Sequence, residues 1–475
     1  MSIVVAGERS GVGKTTITLA MLSYLQKIGL QVQSFKVGPD YIDPMFHRYV
    51  TGRPCRNLDP VLTSEAYVRQ CFALNTQKVK HGLVEGVMGL FDGAAGRGDY
   101  ASTAHIARLL NLPVLLVIDC SRMSHSIAAL VHGYRSFDPR LQLAGVVLNR
   151  VGSDRHLELL KSALEPLAIP ILGILHRHDS ITIPDRHLGL VPTAELTDLN
   201  PLIEQLAESG KTSFDWSRLL PLLETIPTSE IWEWETCEGA NQVPIAIAQD
   251  AAFSFYYQDN LDLLERLGGK LIPWSPLTDK KLPEGARGLY LGGGFPEMFA
   301  AQLSHNESAR QSVYAAIQAG MPTYAECGGL MYLCQHIIDF EARSHPMVGI
   351  LPTAAVMGKR LTLGYRQAIA CQNSILFPRG TLINGHEFHR SYLTQEPDVP
   401  LYQVQGTQGG GYRVQGTESE MTTPPPSYPI SDPVPAISEG WHLPHLHASY
   451  IHLHWGATPE IPRRFLNNCF RFTQE

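Results

Sequence analysis

With 475 residues, 44% of them hydrophobic and 17% charged, the chain is too long for one hydrophobic core and too apolar for wholesale disorder. Its net charge of −7 argues against a nucleic-acid surface, and nothing in it reads as a basic tail or arm. No run reaches the roughly 18 uninterrupted apolar residues of a membrane span, and the opening MSIVVAGERS has no charged region ahead of its short apolar stretch, so a soluble, cytoplasmic protein is expected.

From residue 3 to about 200 the chain alternates strand and helix patterns, with strands predicted at 3–6, 83–88, 114–119, 144–148 and 170–174. This alternation predicts a parallel sheet covered by helices on both faces. The first strand runs into the Gly-rich turn of IVVAGERSGVGKTT and then into an apolar-periodic helix. Backbone N–H groups of such a turn, backed by a helix N-terminus, form an anion cradle. Lys14 is placed to reach terminal phosphates and Thr15 to hold Mg²⁺. The usual spacing of this loop would put glycine at position 8. This chain has Glu8 there, and its leading glycine is Gly7.

Acidic residues follow. Asp40 and Asp43 lie in FKVGPDYIDP, Glu85 near the end of the apolar strand GLVEGVMG, and Asp92 in the loop beyond. Carboxylates at the C-terminal ends of parallel strands point into the crevice where α/β proteins bind ligands, and they suit a Mg²⁺ shell completed by phosphate oxygens. A solvated surface acid is the plainer reading of each alone, although Glu85 in an apolar strand would be costly to bury to no end. Asn149, closing AGVVLN, reads equally as a nucleobase contact or a strand-end cap.

Between 205 and 242 the periodicity lapses, which predicts a linker between a domain at 1–235 and another at 243–475. A second alternating series then places strands at 244–248, 270–274, 288–291 and 322–325, with helices near 260–267, 306–319 and from 328. Shorter strands are expected at 354–366 and 386–392. Residues 403–436, poor in aliphatics and rich in Gly, Pro, Ser and Thr, are expected to form a mobile insertion.

The eight cysteines are scattered with no C-x-x-C pair, which suits neither a disulfide framework nor zinc, and most are expected to be small buried hydrophobes. Cys327 differs. In MPTYAECGGLMYLC an apolar strand turns sharply into a helix, with Ala325 and Gly329 small enough for a nucleophile elbow. The helix dipole is expected to lower its thiol pKa. A base would come from His452 or His454 in ASYIHLHW, where alternate spacing puts both on one strand face. The glycines of LYLGGGFPE offer backbone N–H groups to a developing oxyanion. The histidine-rich C-terminal region has no cysteine or carboxylate at spacing suited to a metal site.

The first half resembles the dethiobiotin-synthetase-like ATPases, whose leading glycine is displaced as Gly7 is. The second resembles class I glutamine amidotransferase domains of the type that uses a Cys–His pair without a third acidic member. In order, GPDYIDP, EGVMGLFDG, RHLGL, FSFYY, GGGFPE, ECGGLMYL, GHEFHRS and SYIHLHW resemble the cobyrinate a,c-diamide synthase family of corrinoid biosynthesis over nearly the whole chain.

The resemblance implies an α/β protein. A P-loop parallel-sheet ATP-binding domain would precede an α/β class I glutamine amidotransferase-like domain, together forming a ligase that makes C–N bonds with L-glutamine as nitrogen donor. It implies ATP at Gly7, Gly11, Val12, Gly13, Lys14, Thr15, Thr16 and Asn149, and Mg²⁺ at Thr15, Asp40 and Glu85. Cobyrinic acid falls to Asp40, Tyr41, Ile42 and Asp92. Cys327 becomes the nucleophile and His452 its base, because related domains carry the base two residues after a tyrosine, here Tyr450. A homodimer is an expectation, and neither nucleic acid nor membrane is an expected partner. The same chemistry on nickel sirohydrochlorin is the alternative. A nucleotide switch that kept only the fold sits poorly with intact Lys14, Thr15, Glu85 and Cys327.

Overall fold

The computed structural model describes the chain except residues 1, 178–180, 182, 187–188, 197, 226–241, 406–436 and 473–475. The described residues separate into two compact units, one drawn from Met1–Thr236 with Phe255–Asp262, the other from Cys237–Ser254 with Leu263–Glu475.

The first unit is built on β1 (Ile3–Gly7), β2 (Val32–Val37), β3 (Arg56–Leu58), β4 (His81–Glu85), β5 (Val114–Asp119), β6 (Leu143–Val151) and β7 (Ile171–His176). They form one parallel sheet in the order β3-β2-β4-β1-β5-β6-β7. The connecting helices are α1 (Lys14–Lys27), α2 (Ile42–Thr51), α3 (Glu65–Thr76), α4 (Thr103–Leu109), α5 (Ser126–Phe137) and α6 (Asp154–Leu164). β1 and β5 are buried at every position, as strands covered on both faces must be. A two-residue hairpin of β8 (Asp185–Arg186) and β9 (Gly189–Leu190) follows.

Two expectations need correction. The strand predicted at 83–88 lies earlier, at His81–Glu85, so residues 86–88 open a loop in which Met88 takes a φ of 47°. The described part of the predicted linker is largely helical: α7 (Asn200–Ser213) and α8 (Trp216–Leu223) occupy most of 205–225, and 226–241 lies outside the described residues. Pro221 and Gly210 blur the helical pattern in sequence, yet α7 lies against α1 and Trp216 sits 4.8 Å from the Tyr24 ring. Burial of Leu206, Ala207, Leu219 and Leu223 outweighs weak local propensity.

The second unit has β10 (Val243–Ala248), β11 (Gly269–Trp274), β12 (Gly288–Leu291) and β13 (Thr323–Glu326), with α9 (Gln258–Arg266), α10 (Ala300–His305) and α11 (Glu307–Gln318) between them and α12 (Gly328–Leu333) following β13. The first residues of α9 belong to the other unit. Beyond them run β14 (Cys334–Ile338), β15 (Ser344–Pro346), β16 (Leu351–Ala370), β17 (Leu382–Leu393), β18 (Tyr402–Gln405), β19 (Ile437–Glu439), β20 (Trp441–Leu443), β21 (Leu446–Ser449) and α13 (Glu460–Arg471). One sheet has the order β11-β10-β12-β13-β21-β20, parallel except for its last pair. A second runs β15-β14-β16-β18-β19, with β17 also paired to β16. The start of the predicted insertion is therefore strand, because β18 pairs with both β16 and β19; residues 406–436 lie outside the described residues. No helix among the described residues is long and apolar enough to cross a membrane.

Candidate functional site

In the first unit β1 ends at Gly7 and the loop leads to Gly13, the residue capping α1, at a φ of 94°. A side chain there would be strained by that φ, and its Cβ would fall 2.5 Å from Asn149 Nδ2. Asn149, at the C-terminal end of β6, donates to Val12 O at 2.8 Å and so ties the sheet to the phosphate loop. Lys14 is buried and donates to Met88 O at 2.5 Å. Burial, with Lys36 nearby, pushes its pKa down to about 8.

Behind the loop lies a buried charge cluster. Thr15 Oγ1 donates to Glu85 Oε1 at 2.7 Å and lies 3.2 Å from Asp43 Oδ2. Lys36 Nζ bridges the same two carboxylates, at 2.5 Å from Asp43 Oδ2 and 2.8 Å from Glu85 Oε1. The other Glu85 oxygen meets His47 Nε2 at 2.7 Å, and His47 Nδ1 is 3.4 Å from Cys55 Sγ. Burial alone would raise the Glu85 carboxyl, but Lys36 and His47 hold it well below the usual carboxylate range. Burial likewise opposes the Lys36 ammonium, which Asp43 and Glu85 hold well above its ordinary value.

Asp40 accepts from the N–H groups of Ile42 and Asp43, at 2.8 and 3.1 Å, and so organises the start of α2; its second oxygen is 3.9 Å from Lys36 Nζ. Within this unit the Tyr41 ring stacks on Phe255 at 5.2 Å. Asp92 accepts from Gly89 N at 2.9 Å in the loop beyond β4. Thus Thr15 and Glu85 meet directly, and Asp43 and Lys36 join them. Sequence reasoning weighed Asp43 only as one acid among several and missed Lys36 and His47. The argument applied to Glu85, a charge in an apolar parallel strand, applies equally to Lys36 in VQSFKV and was the available signal.

In the second unit β13 turns at Cys327, whose φ of 46° and ψ of −99° are strained for a non-glycine residue. A Cβ at Gly329 would lie 2.3 Å from Leu291 O, so the elbow packs against β12 only because that residue is glycine. Next to the elbow, the Gly294 backbone N lies 3.0 Å from where a Gly328 Cβ would stand, which brings the glycine loop beside Cys327. Cys327 N–H donates to Ser449 O at 2.7 Å, and its Sγ is 3.9 Å from Phe388 O. Burial, with Glu297 and Glu326 adding to it, pushes the thiol pKa up, the reverse of the expected lowering. α12 is only six residues long, and its dipole does not offset the desolvation.

The predicted strand face carrying His452 and His454 also differs. β21 ends at Ser449, whose Oγ accepts from Ile451 N at 2.9 Å, a local bond that diverts the chain. His452 then forms an isolated bridge with His386. Both histidines are buried, and His452 Nδ1 lies 3.4 Å from Glu326 Oε2. Tyr450 stacks on His389 at 3.9 Å, and its N–H donates to Glu439 Oε1 at 2.7 Å. His447, another of the histidine-rich segment, is a core residue bonded to the Tyr402 hydroxyl at 2.9 Å. Of the other cysteines, Cys55, Cys71, Cys120, Cys334 and Cys469 are buried and Cys371 is partly exposed; Cys237 lies outside the described residues.

Residues 3–191 match the CobQ/CobB/MinD/ParA nucleotide binding domain, and residues 244–459 match the CobB/CobQ-like glutamine amidotransferase domain. A protein of Synechococcus sp. named cobyrinate a,c-diamide synthase is 56% identical, covering 100% of this chain and 99% of its own length. One of the same name from Synechocystis sp. is 52% identical over 100% of this chain and 95% of its own. A Streptomyces coelicolor protein named hydrogenobyrinate a,c-diamide synthase is 39% identical over 98% and 97%. With a nucleotide-binding unit and a cysteine-elbow unit on one polypeptide, and likeness of this extent over full length, the chain belongs to the cobyrinate a,c-diamide synthase family.

Proposed function

We propose that the chain converts cobyrinate to cobyrinate a,c-diamide, using ATP to activate each acetate carboxylate and glutamine to supply nitrogen. The observation that carries this reading is the 56% identity over full length to a protein named for that product, on a chain holding both kinds of site. The reported relatives are named for cobyrinate and hydrogenobyrinate and lend no support to the nickel sirohydrochlorin alternative. The functional division is read as 1–235 for activation and 243–475 for nitrogen supply.

In the amidotransferase half, Cys327 attacks the side-chain amide carbon of glutamine while His452 takes the thiol proton. Backbone N–H groups of the 292–294 loop face the developing oxyanion, ammonia leaves, and water releases glutamate from the thioester. Burial raises the thiol pKa, so Cys327 depends on the base to take its proton. In the other half the loop from Gly7 to Thr16 cradles ATP, with Asn149 holding the loop's shape. Lys14 swings from Met88 O to the phosphates. The carboxylate attacks the γ-phosphorus and ADP leaves; ammonia then attacks the acyl phosphate, and the amide forms as phosphate and a proton are released.

The Thr15 hydroxyl lies 2.7 Å from Glu85 Oε1 and 3.2 Å from Asp43 Oδ2, a group of hard oxygen donors that fits Mg²⁺. Thr15, Asp40 and Glu85 are assigned to it, with Asp43 beside them, and Mg²⁺ would offset phosphate charge during transfer. Asp40, Tyr41, Ile42 and Asp92 are assigned to the corrinoid. Purified protein given glutamine, ATP, Mg²⁺ and cobyrinic acid should release glutamate, and the corrinoid should gain the mass of two amidations. Nucleotide binding without any amide product would overturn the reading.

A further inference from the structure

Glu326 directly precedes the nucleophile and is 1% exposed, so its carboxylate must be satisfied inside the protein. Its two oxygens have different surroundings. Oε1 accepts from the Tyr324 hydroxyl and from Leu453 N, the latter at 3.0 Å. Oε2 faces His452 Nδ1 at 3.4 Å. Two donors on one oxygen fix the plane of the carboxylate, and the other oxygen is thereby aimed at the imidazole.

The backbone of His452 is held just as firmly. His386 N donates to His452 O at 3.0 Å, and His452 N donates to His386 O at 2.8 Å. On the opposite side, Cys327 N donates to Ser449 O, three residues before the histidine. Nucleophile and carboxylate are thus consecutive residues of one strand end, and the imidazole comes from the chain leaving the neighbouring strand.

We infer that Glu326 is the acidic partner of His452: a positioning residue that holds the proton on Nδ1, keeps Nε2 as the basic nitrogen for the Cys327 thiol, and stabilises the imidazolium formed when that proton arrives. The resemblance to Cys–His amidotransferases implies no third acidic member; here one is supplied from the residue before the cysteine. A carboxylate facing one ring nitrogen sets the tautomer, and its largest effect comes when the ring is charged. The separation of 3.4 Å is an ion-pair distance that a bound substrate is expected to shorten. Burial holds the Cys327 thiol pKa up, and the carboxylates of Glu297 and Glu326 add to that effect.

This inference rests on the assignment of Cys327 and His452, and a double-mutant cycle separates the two. Glutamine-dependent and ammonia-dependent synthesis are measured for the full chain and for Glu326→Gln, His452→Ala and the double variant. Glu326→Gln should lower glutamine-dependent kcat by about ten- to hundredfold with little change in KM for glutamine, and leave ammonia-dependent synthesis intact. The double variant should be no slower than His452→Ala alone, because the carboxylate acts only through the histidine. Equal losses from Glu326→Gln in the presence and absence of His452, or no loss of kcat, overturn the inference while leaving His452 in place. Full glutamine-dependent activity in His452→Ala overturns the His452 assignment itself. If Glu326→Gln fails to fold, Glu326→Asp decides: it keeps the charge and should retain more activity than Glu326→Ala, and equal loss in those two overturns the inference.

Discussion

In the first unit Lys14, Lys36, Asp43, His47 and Glu85 are all buried around one phosphate loop, and each is held by another charged group or by backbone. In the second unit Cys327 sits in a strained elbow against glycine backbone, and the charges nearest it are carboxylates that oppose ionisation. The contrast follows from the chemistry assigned to each. Phosphoryl transfer is mostly charge neutralisation and positioning, so the protein concentrates ionisable groups. Thiol attack on an amide needs an oriented nucleophile, donors for an oxyanion and one base, so backbone geometry does most of the work.

The largest expected effect separates the two units by nitrogen source. Cys327→Ala should abolish glutamine-dependent synthesis, by about a thousandfold or more, and spare turnover with free ammonia. Lys14→Ala should abolish synthesis with either donor. Equal loss from Cys327→Ala with both donors, or ammonia-dependent turnover surviving in Lys14→Ala, would break the division of labour.

A second difference concerns stability. Lys36→Met would leave Asp43 and Glu85 facing each other without their shared ammonium, at a cost of about 3–5 kcal/mol to unfolding in urea. Cys327→Ala removes only a strained, buried sulfhydryl and should cost far less. If urea midpoints moved equally, the charge cluster would not be the element holding the first unit together.

Residue for residue, the smallest effect is a pH dependence. In the second unit burial pushes His386 and His447 down to about 3, from 6.5 in an unfolded chain. The unfolded state therefore takes up protons that the folded state refuses, and stability present above 6.5 is lost as the pH falls towards 3. The loss is about 1.4 kcal/mol per histidine for each pH unit below 6.5. Glu85, held below the usual carboxylate range, contributes stability lost only below about 4.5. Thermal unfolding between pH 7 and 5 should thus weaken the second unit first, and His447→Gln should flatten that slope. An unchanged slope would show that His447 is not the responsible group.

Much of this was legible in sequence where the signal is local. The phosphate loop, the elbow at Cys327 and the strand carrying Glu85 each occupy a short stretch in which residue type and spacing already express the constraint. The helices α7 and α8 were not legible, because Gly210 and Pro221 break the pattern and only packing against the first unit's core makes those residues helical. The end of β21 depended on a single Ser449 hydrogen bond.

The sequence by itself determined the two α/β halves, the Gly-rich turn leading into Lys14 and Thr15, and the strand-to-helix turn that carries Cys327. Only the tertiary structure decided the partners of those groups. Lys36 and Glu85 meet because β2 and β4 are sheet neighbours although distant in the chain, and Glu326 meets His452 because β21 lies beside β13. Strand order is a property of how the whole chain buries its apolar faces, and no local spacing encodes it.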